Sequence, residues 1–132
     1  MDENDVARQI VDAAYKVHRA LGPGLLESVY EIVLAKELEK RGLRVQRQVK
    51  INIRYEDSIF EAAFTADLIV EELVIVEIKS VEDLAAVHKK QLLTYLRLTQ
   101  KRLGLLINFD EELIRNGIKR VANGLPEPEK HE

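Results

Sequence analysis

Residues 66–79 read Ala66-Asp67-Leu68-Ile69-Val70-Glu71-Glu72-Leu73-Val74-Ile75-Val76-Glu77-Ile78-Lys79. Two apolar runs rich in β-branched residues flank a short acidic turn, which predicts an antiparallel hairpin with strands at about 59–70 and 73–80. Runs this hydrophobic imply a covered face. An Asp, a Glu and a Lys set within them are costly unless they pair with one another or hold a metal, so the hairpin predicts a site as well as a fold.

Working outward, alternation continues N-terminally from Arg44, with Val45, Val49, Ile51, Ile53 and Tyr55 expected on one face of a long strand that turns at Glu56-Asp57-Ser58. Ahead of it, three- and four-residue spacings predict two helices. The first, capped by Asn4 or Asp5, carries Val6, Ile10, Ala14, Val17 and Leu21 and ends at Gly22-Pro23-Gly24. The second spans about 27–41, with Tyr30, Leu34 and Leu38 in a stripe beside Val33 and Gly42 as a left-handed C-terminal cap.

Beyond the hairpin, helical spacing returns over about 81–98, where Leu84, Val87, Leu92 and Leu96 offer a core-facing stripe. The apolar run Leu103–Ile107 then fits an interior strand reached by a crossover. A short helix near 111–115, the Asn116-Gly117 turn and a strand at 118–121 complete the order. The expected fold class is therefore α/β, with a central mixed sheet flanked by helices: an antiparallel meander joined by one parallel strand. A single domain over residues 1–125 and a disordered acidic tail over 126–132 are expected.

Composition narrows the classes of function. Zero cysteines exclude disulfides, thiolate catalysis and cysteine-ligated zinc. No apolar run approaches the ~20 residues of a membrane span, and the acidic start Met1-Asp2-Glu3-Asn4-Asp5 does not resemble a secretion signal, so a cytoplasmic protein with no membrane partner is expected. A formal net charge of -3 argues against nonspecific coating of nucleic acid, yet basic residues gather at Lys40, Arg41, Arg44, Arg47 and Lys50, and again at Lys89, Lys90, Arg97, Lys101 and Arg102.

The candidate chemistry centres on the hairpin. Glu77 and Lys79 leave the same strand face, and Ile78 points away from them. A two-residue loop at Glu71-Glu72 would pair Asp67 with Val76 and send its carboxylate to the wrong face, whereas a three-residue loop or a bulge near Asp67 pairs it with Glu77. Asp67, Glu77 and the Ile78 carbonyl then suit a hard divalent cation such as Mg2+ or Mn2+. Lys79 is placed to steady charge on a phosphorus under attack. Glu27 opens the second helix, where an acid also favours the helix dipole. Gln91 and Tyr95, four apart, share a helix face with His88.

These residues carry a resemblance. Asp67, Glu77 and Lys79 resemble the signature of the PD-(D/E)xK nuclease superfamily. The segment Gly24-Leu25-Leu26-Glu27-Ser28-Val29-Tyr30 looks like the motif that names the GxxExxY family, a branch of small bacterial and archaeal PD-(D/E)xK-like proteins. The likeness continues through Gly42-Leu43, Gln48-Val49, Ala66-Asp67-Leu68, Gln91-Leu92-Leu93-Thr94-Tyr95-Leu96 and Leu105-Leu106-Ile107-Asn108-Phe109, from about Val6 to Leu125. Two positions depart from the family pattern, Thr65 where a basic residue is common and Lys89 where an acidic one is.

The resemblance implies a restriction-endonuclease-like core and a metal-dependent nuclease acting on DNA in preference to RNA. Asp67, Glu77, Lys79 and Gln91 would be catalytic. Glu27, Asp67, Glu77 and Ile78 would hold the metal, with Tyr30, His88 and Tyr95 in support. Gln91 and Tyr95 are similar to a motif of helicase-linked exonucleases in the same superfamily. The alternative is a non-catalytic module that keeps the nuclease fold and binds nucleic acid or protein. A homodimer would lengthen the groove.

Overall fold

The computed structural model describes residues 1–128; of the tail expected at 126–132, positions 129–132 lie outside the described residues. The elements are α1 (Glu3–Leu21), α2 (Glu27–Lys40), β1 (Val45–Tyr55), β2 (Ser58–Val70), β3 (Val74–Lys79), α3 (Ala86–Thr99), β4 (Leu103–Asn108) and β5 (Ile118–Ala122), with a 3-10 turn at Ile114–Asn116. The sheet order is β1-β2-β3-β4-β5. β3 and β4 run parallel, and the pairs β1–β2, β2–β3 and β4–β5 are antiparallel. This is the mixed α/β sheet read from the sequence, with α1 and α2 on one face and α3 on the other.

Local chemistry sets the element ends. The cap of α1 is Asp2, not Asn4 or Asp5: its carboxylate accepts the Asp5 N–H at 2.9 Å while Asp5 Oδ2 accepts the Asp2 N–H at 3.1 Å. That reciprocal pair satisfies two otherwise orphaned donors and starts the helix earlier. Val6, Ile10, Ala14 and Val17 are buried, but Leu21, in the last turn, is exposed. At the end of α2, Gly42 takes φ 85°, as its role as a left-handed cap requires.

The third helix starts at Ala86 instead of near Val81. Asn108, fully buried at the end of β4, holds Val81 in an extended segment by accepting its N–H at 3.1 Å and donating to its carbonyl at 2.8 Å. Those groups are then lost to a helix. Leu92 and Leu96 fill the core on this face; Leu84 is partly buried and Val87 is exposed.

The helix expected near residues 111–115 contracts to the turn at Ile114–Asn116. The chain must re-enter the sheet at once, because the Gly117 carbonyl accepts the Asn108 N–H at 2.9 Å. The approach is so close that a Cβ on Gly117 would lie 2.3 Å from the Asn108 carbonyl oxygen. Gly117→Ala is therefore expected to destabilise the protein by roughly 2 kcal/mol or more, read as a lower urea midpoint at unchanged slope. An unchanged midpoint would show that the backbone yields here.

The long first strand does not keep one face. Val45 packs with α1 and α2, whereas Val49 and Ile51 pack with α3. The swap occurs at Gln48, whose φ is 51°, a left-handed conformation inside a strand. On β2 the same change separates Leu68, on the α1/α2 side, from Ala66, on the α3 side, with Asp67 between them. An irregular residue of this kind shifts the alternation by one step and bends the strand.

Candidate active site

The hairpin between β2 and β3 resolves the question of register. Val70 pairs with Val74, Ile69 with Ile75 and Leu68 with Val76, leaving a three-residue loop with Glu71 and Glu72 at φ 54° and 58°. Carried one step further, that register sets Asp67 against Glu77. The ladder stops at Leu68, however, and β3 continues to Lys79 paired only with β4. The strands diverge there, and the site residues lie in the opening.

Asp67 occupies the gap in the ladder: its Oδ2 accepts the Ile78 N–H at 2.8 Å, and its Oδ1 accepts from Gln48 Nε2 at 3.3 Å. Gln48 also donates to Glu31 Oε1, and Arg47 pairs with Glu31 Oε2 at 3.0 Å. Glu77 is buried, and its Oε1 has no hydrogen-bond partner among the described residues. Desolvation first, then the neighbouring Asp67 carboxylate, pushes its pKa up to about 9, against a partial offset from the Lys79 ammonium. Tyr95 approaches from α3, stacked on Phe64 at 3.9 Å, and its pKa is raised by desolvation and then by Glu77 and Asp67.

The remaining expected residues have different surroundings. Glu27 stands in the first turn of α2, where its Oε1 accepts the Ser80 N–H at 3.3 Å. It lines, with Asp67, Ile78, Gln48 and Glu31, a cleft of about 320 Å³. Among the described residues, no three acidic or imidazole side chains converge as a metal cluster, so Glu27 is on the cleft wall without closing a triad. Tyr30 is fully buried; its hydroxyl donates to the Gly22 carbonyl at 2.6 Å and accepts the Leu25 N–H at 3.0 Å, and its ring stacks on Phe109. It pins the loop that delivers Glu27.

His88 Nδ1 accepts the Ala85 N–H at 3.1 Å, so this histidine caps the start of α3. Gln91 is exposed on the same helix. A larger hollow, about 810 Å³ between α1 and β5, has Asp12 as the one carboxylate among its described lining residues and lies away from this chemistry.

Gln48, Glu31 and Asn108 have a clear place around the site and were not anticipated as site residues. Glu31, buried on α2, falls on the stripe of Tyr30, Leu34 and Leu38, where a charge is out of place; that was its signal. Asn108 holds the chain that leaves Lys79; its position at the end of an apolar run and within the family likeness marked it, but not this role.

Sequence comparison agrees with this geometry: the profile of the PD-(D/E)XK nuclease superfamily matches residues 4–121. The chain belongs to that superfamily. Comparison with curated proteins gave no match. Superfamily membership points to a nuclease-type function, and nucleases of this superfamily generally use divalent metals. The described site fits such an ion on its own chemistry. Two close carboxylates, one of them desolvated and short of a partner, call for a positive charge between them, and oxygen donors suit a hard cation. No helix among the described residues is long and apolar enough to cross a membrane.

Proposed function

We propose that this chain is a Mg2+- or Mn2+-dependent nuclease of the GxxExxY branch, cleaving phosphodiester bonds in DNA in preference to RNA. The observation that carries the reading is Glu77, a buried carboxylate beside a second one, with an oxygen left unpartnered at the opening between β2 and β3. Asp67, Glu77 and the Ile78 carbonyl would hold the cation, and Glu27 supplies a further acid on the cleft wall. The ion, when bound, would polarise a phosphoryl oxygen and make the attacking water a better nucleophile.

The chain's own groups do the rest. Asp67 is held by two N–H donors and keeps its oxygens aimed without a search. Lys79, which already offsets the charge on Glu77, presents an ammonium to the negative charge that grows on phosphorus. Tyr95 walls the opening from α3. Gln91 and the exposed Lys89 and Lys90 lie on that helix, and their donors and charges suit contact with a phosphate backbone. The preference for DNA follows the resemblance of Gln91 and Tyr95 to the helicase-linked exonucleases.

The test joins binding to cleavage. Mn2+ or Mg2+ at millimolar concentration is expected to raise the melting temperature through preferential binding to the folded state. The same ions should support cleavage of single-stranded, double-stranded or branched DNA, assayed beside RNA. Cation binding with no cleavage of any substrate would favour the non-catalytic module, and no cation binding at millimolar concentration would sink the metal-dependent reading in favour of that module.

A further inference from the structure

Gln48 takes φ 51° in the middle of a strand, a conformation that disfavours a residue with a Cβ. Strain of this kind persists only where surrounding contacts enforce it. Here they are identifiable. Adjacent residues in a regular strand point to opposite faces, yet the side chains of Arg47 and Gln48 both reach Glu31 on α2. The left-handed residue makes that double contact possible, and it is also where β1 changes faces beside Asp67.

We infer that Gln48, oriented by Glu31 and Arg47, is a positioning residue that fixes the Asp67 carboxylate for cation binding, an inference that rests on the cation site proposed above. Gln48 Nε2 lies between two carboxylates, donating to Glu31 Oε1 and, at 3.3 Å, to Asp67 Oδ1. A primary amide nitrogen has two hydrogens, and both are used. The reversed amide would place its carbonyl oxygen among carboxylate oxygens and is repelled. Glu31 therefore selects the orientation that donates to Asp67, and Arg47 balances the buried charge that does so.

The result is an asymmetry between the two candidate ligands. Asp67 has a donor on each oxygen, from the Gln48 side chain and the Ile78 backbone, and its direction is set before an ion arrives. Glu77 keeps a partnerless oxygen. Groups that orient a metal ligand in this way commonly change affinity by about 10- to 100-fold when removed.

The experiment is calorimetric titration of Mn2+ into the full chain and its variants, paired with thermal melts. Gln48→Gly is the informative substitution, because glycine adopts the left-handed conformation without a Cβ penalty while deleting the amide. It is expected to melt close to the native protein and to bind Mn2+ about tenfold more weakly. Glu31→Gln should weaken Mn2+ in the same direction, although Glu31 has no hydrogen bond to Asp67. Native Mn2+ affinity in Gln48→Gly would overturn the positioning role alone. A large fall in melting temperature with affinity per folded molecule unchanged would also overturn it, making Gln48 a pin between β1 and α2. A native protein that binds no Mn2+ would overturn the cation site and this role together.

Discussion

Glu77→Gln is expected to make the metal-free protein more stable at neutral pH, an unusual outcome for a substitution in a buried strand. Folded Glu77 holds its proton up to a pH of about 9, whereas an ordinary glutamate releases it near 4.5. Between those values the unfolded state binds fewer protons than the folded state, so stability falls as pH rises. At pH 7 the penalty is on the order of 3 kcal/mol, which a neutral amide does not incur.

The gain should vanish near pH 4, where the native carboxyl is protonated in both states, and grow as pH rises. Mn2+ should reverse the ranking, since the native protein gains binding free energy that the amide cannot supply. Chemical denaturation of both proteins over this pH range, with and without Mn2+, gives the comparison. A variant less stable than the native protein at pH 7 without metal would make the Glu77 carboxylate a structural group.

The same buried acid shows why much of this site was legible in the sequence. Charges within Val- and Ile-rich strands stand out because burial makes them costly, and period-two spacing puts Glu77 and Lys79 on one face whatever surrounds them. The requirement that two carboxylates meet left either a three-residue loop or a bulge near Asp67, and the hairpin has the three-residue loop. The face swap in β1 was hidden. Its apolar residues stand at odd positions on both sides of Gln48, so a strand that changes faces reads like one that does not. A glycine there would have signalled the irregularity; a glutamine held by a distant helix does not.

Helix-face reasoning did not show the capping contact that His88 makes, for a related reason. It shares a face with Gln91 and Tyr95 by spacing, but in the first turn of α3 the unsatisfied Ala85 N–H takes its ring nitrogen. Glu31 was obscured by the strength of its neighbours. The apolar stripe around it predicts a core helix, and only the contact with Arg47 and Gln48 from β1 shows what a carboxylate does there.

Lys79 separates binding from chemistry. Lys79→Ala is expected to lower the rate of cleavage by about 10²- to 10³-fold, the scale for losing one group that stabilises transition-state charge. The fall should appear in kcat, with KM changed little, because the ammonium matters most when negative charge develops on phosphorus. Cation binding is expected to survive, since Lys79 offers no oxygen ligand and removing its charge leaves Asp67 and Glu77 more attractive to a positive ion. The loss should be accompanied by a higher Glu77 pKa in the metal-free protein, because Lys79 is the charge that lowers it. NMR titration of the Glu77 carboxyl, calorimetry with Mn2+ and single-turnover cleavage measure the three effects on one variant. Cleavage at the native rate in Lys79→Ala would assign the activity to another site or another protein, even with cation binding intact.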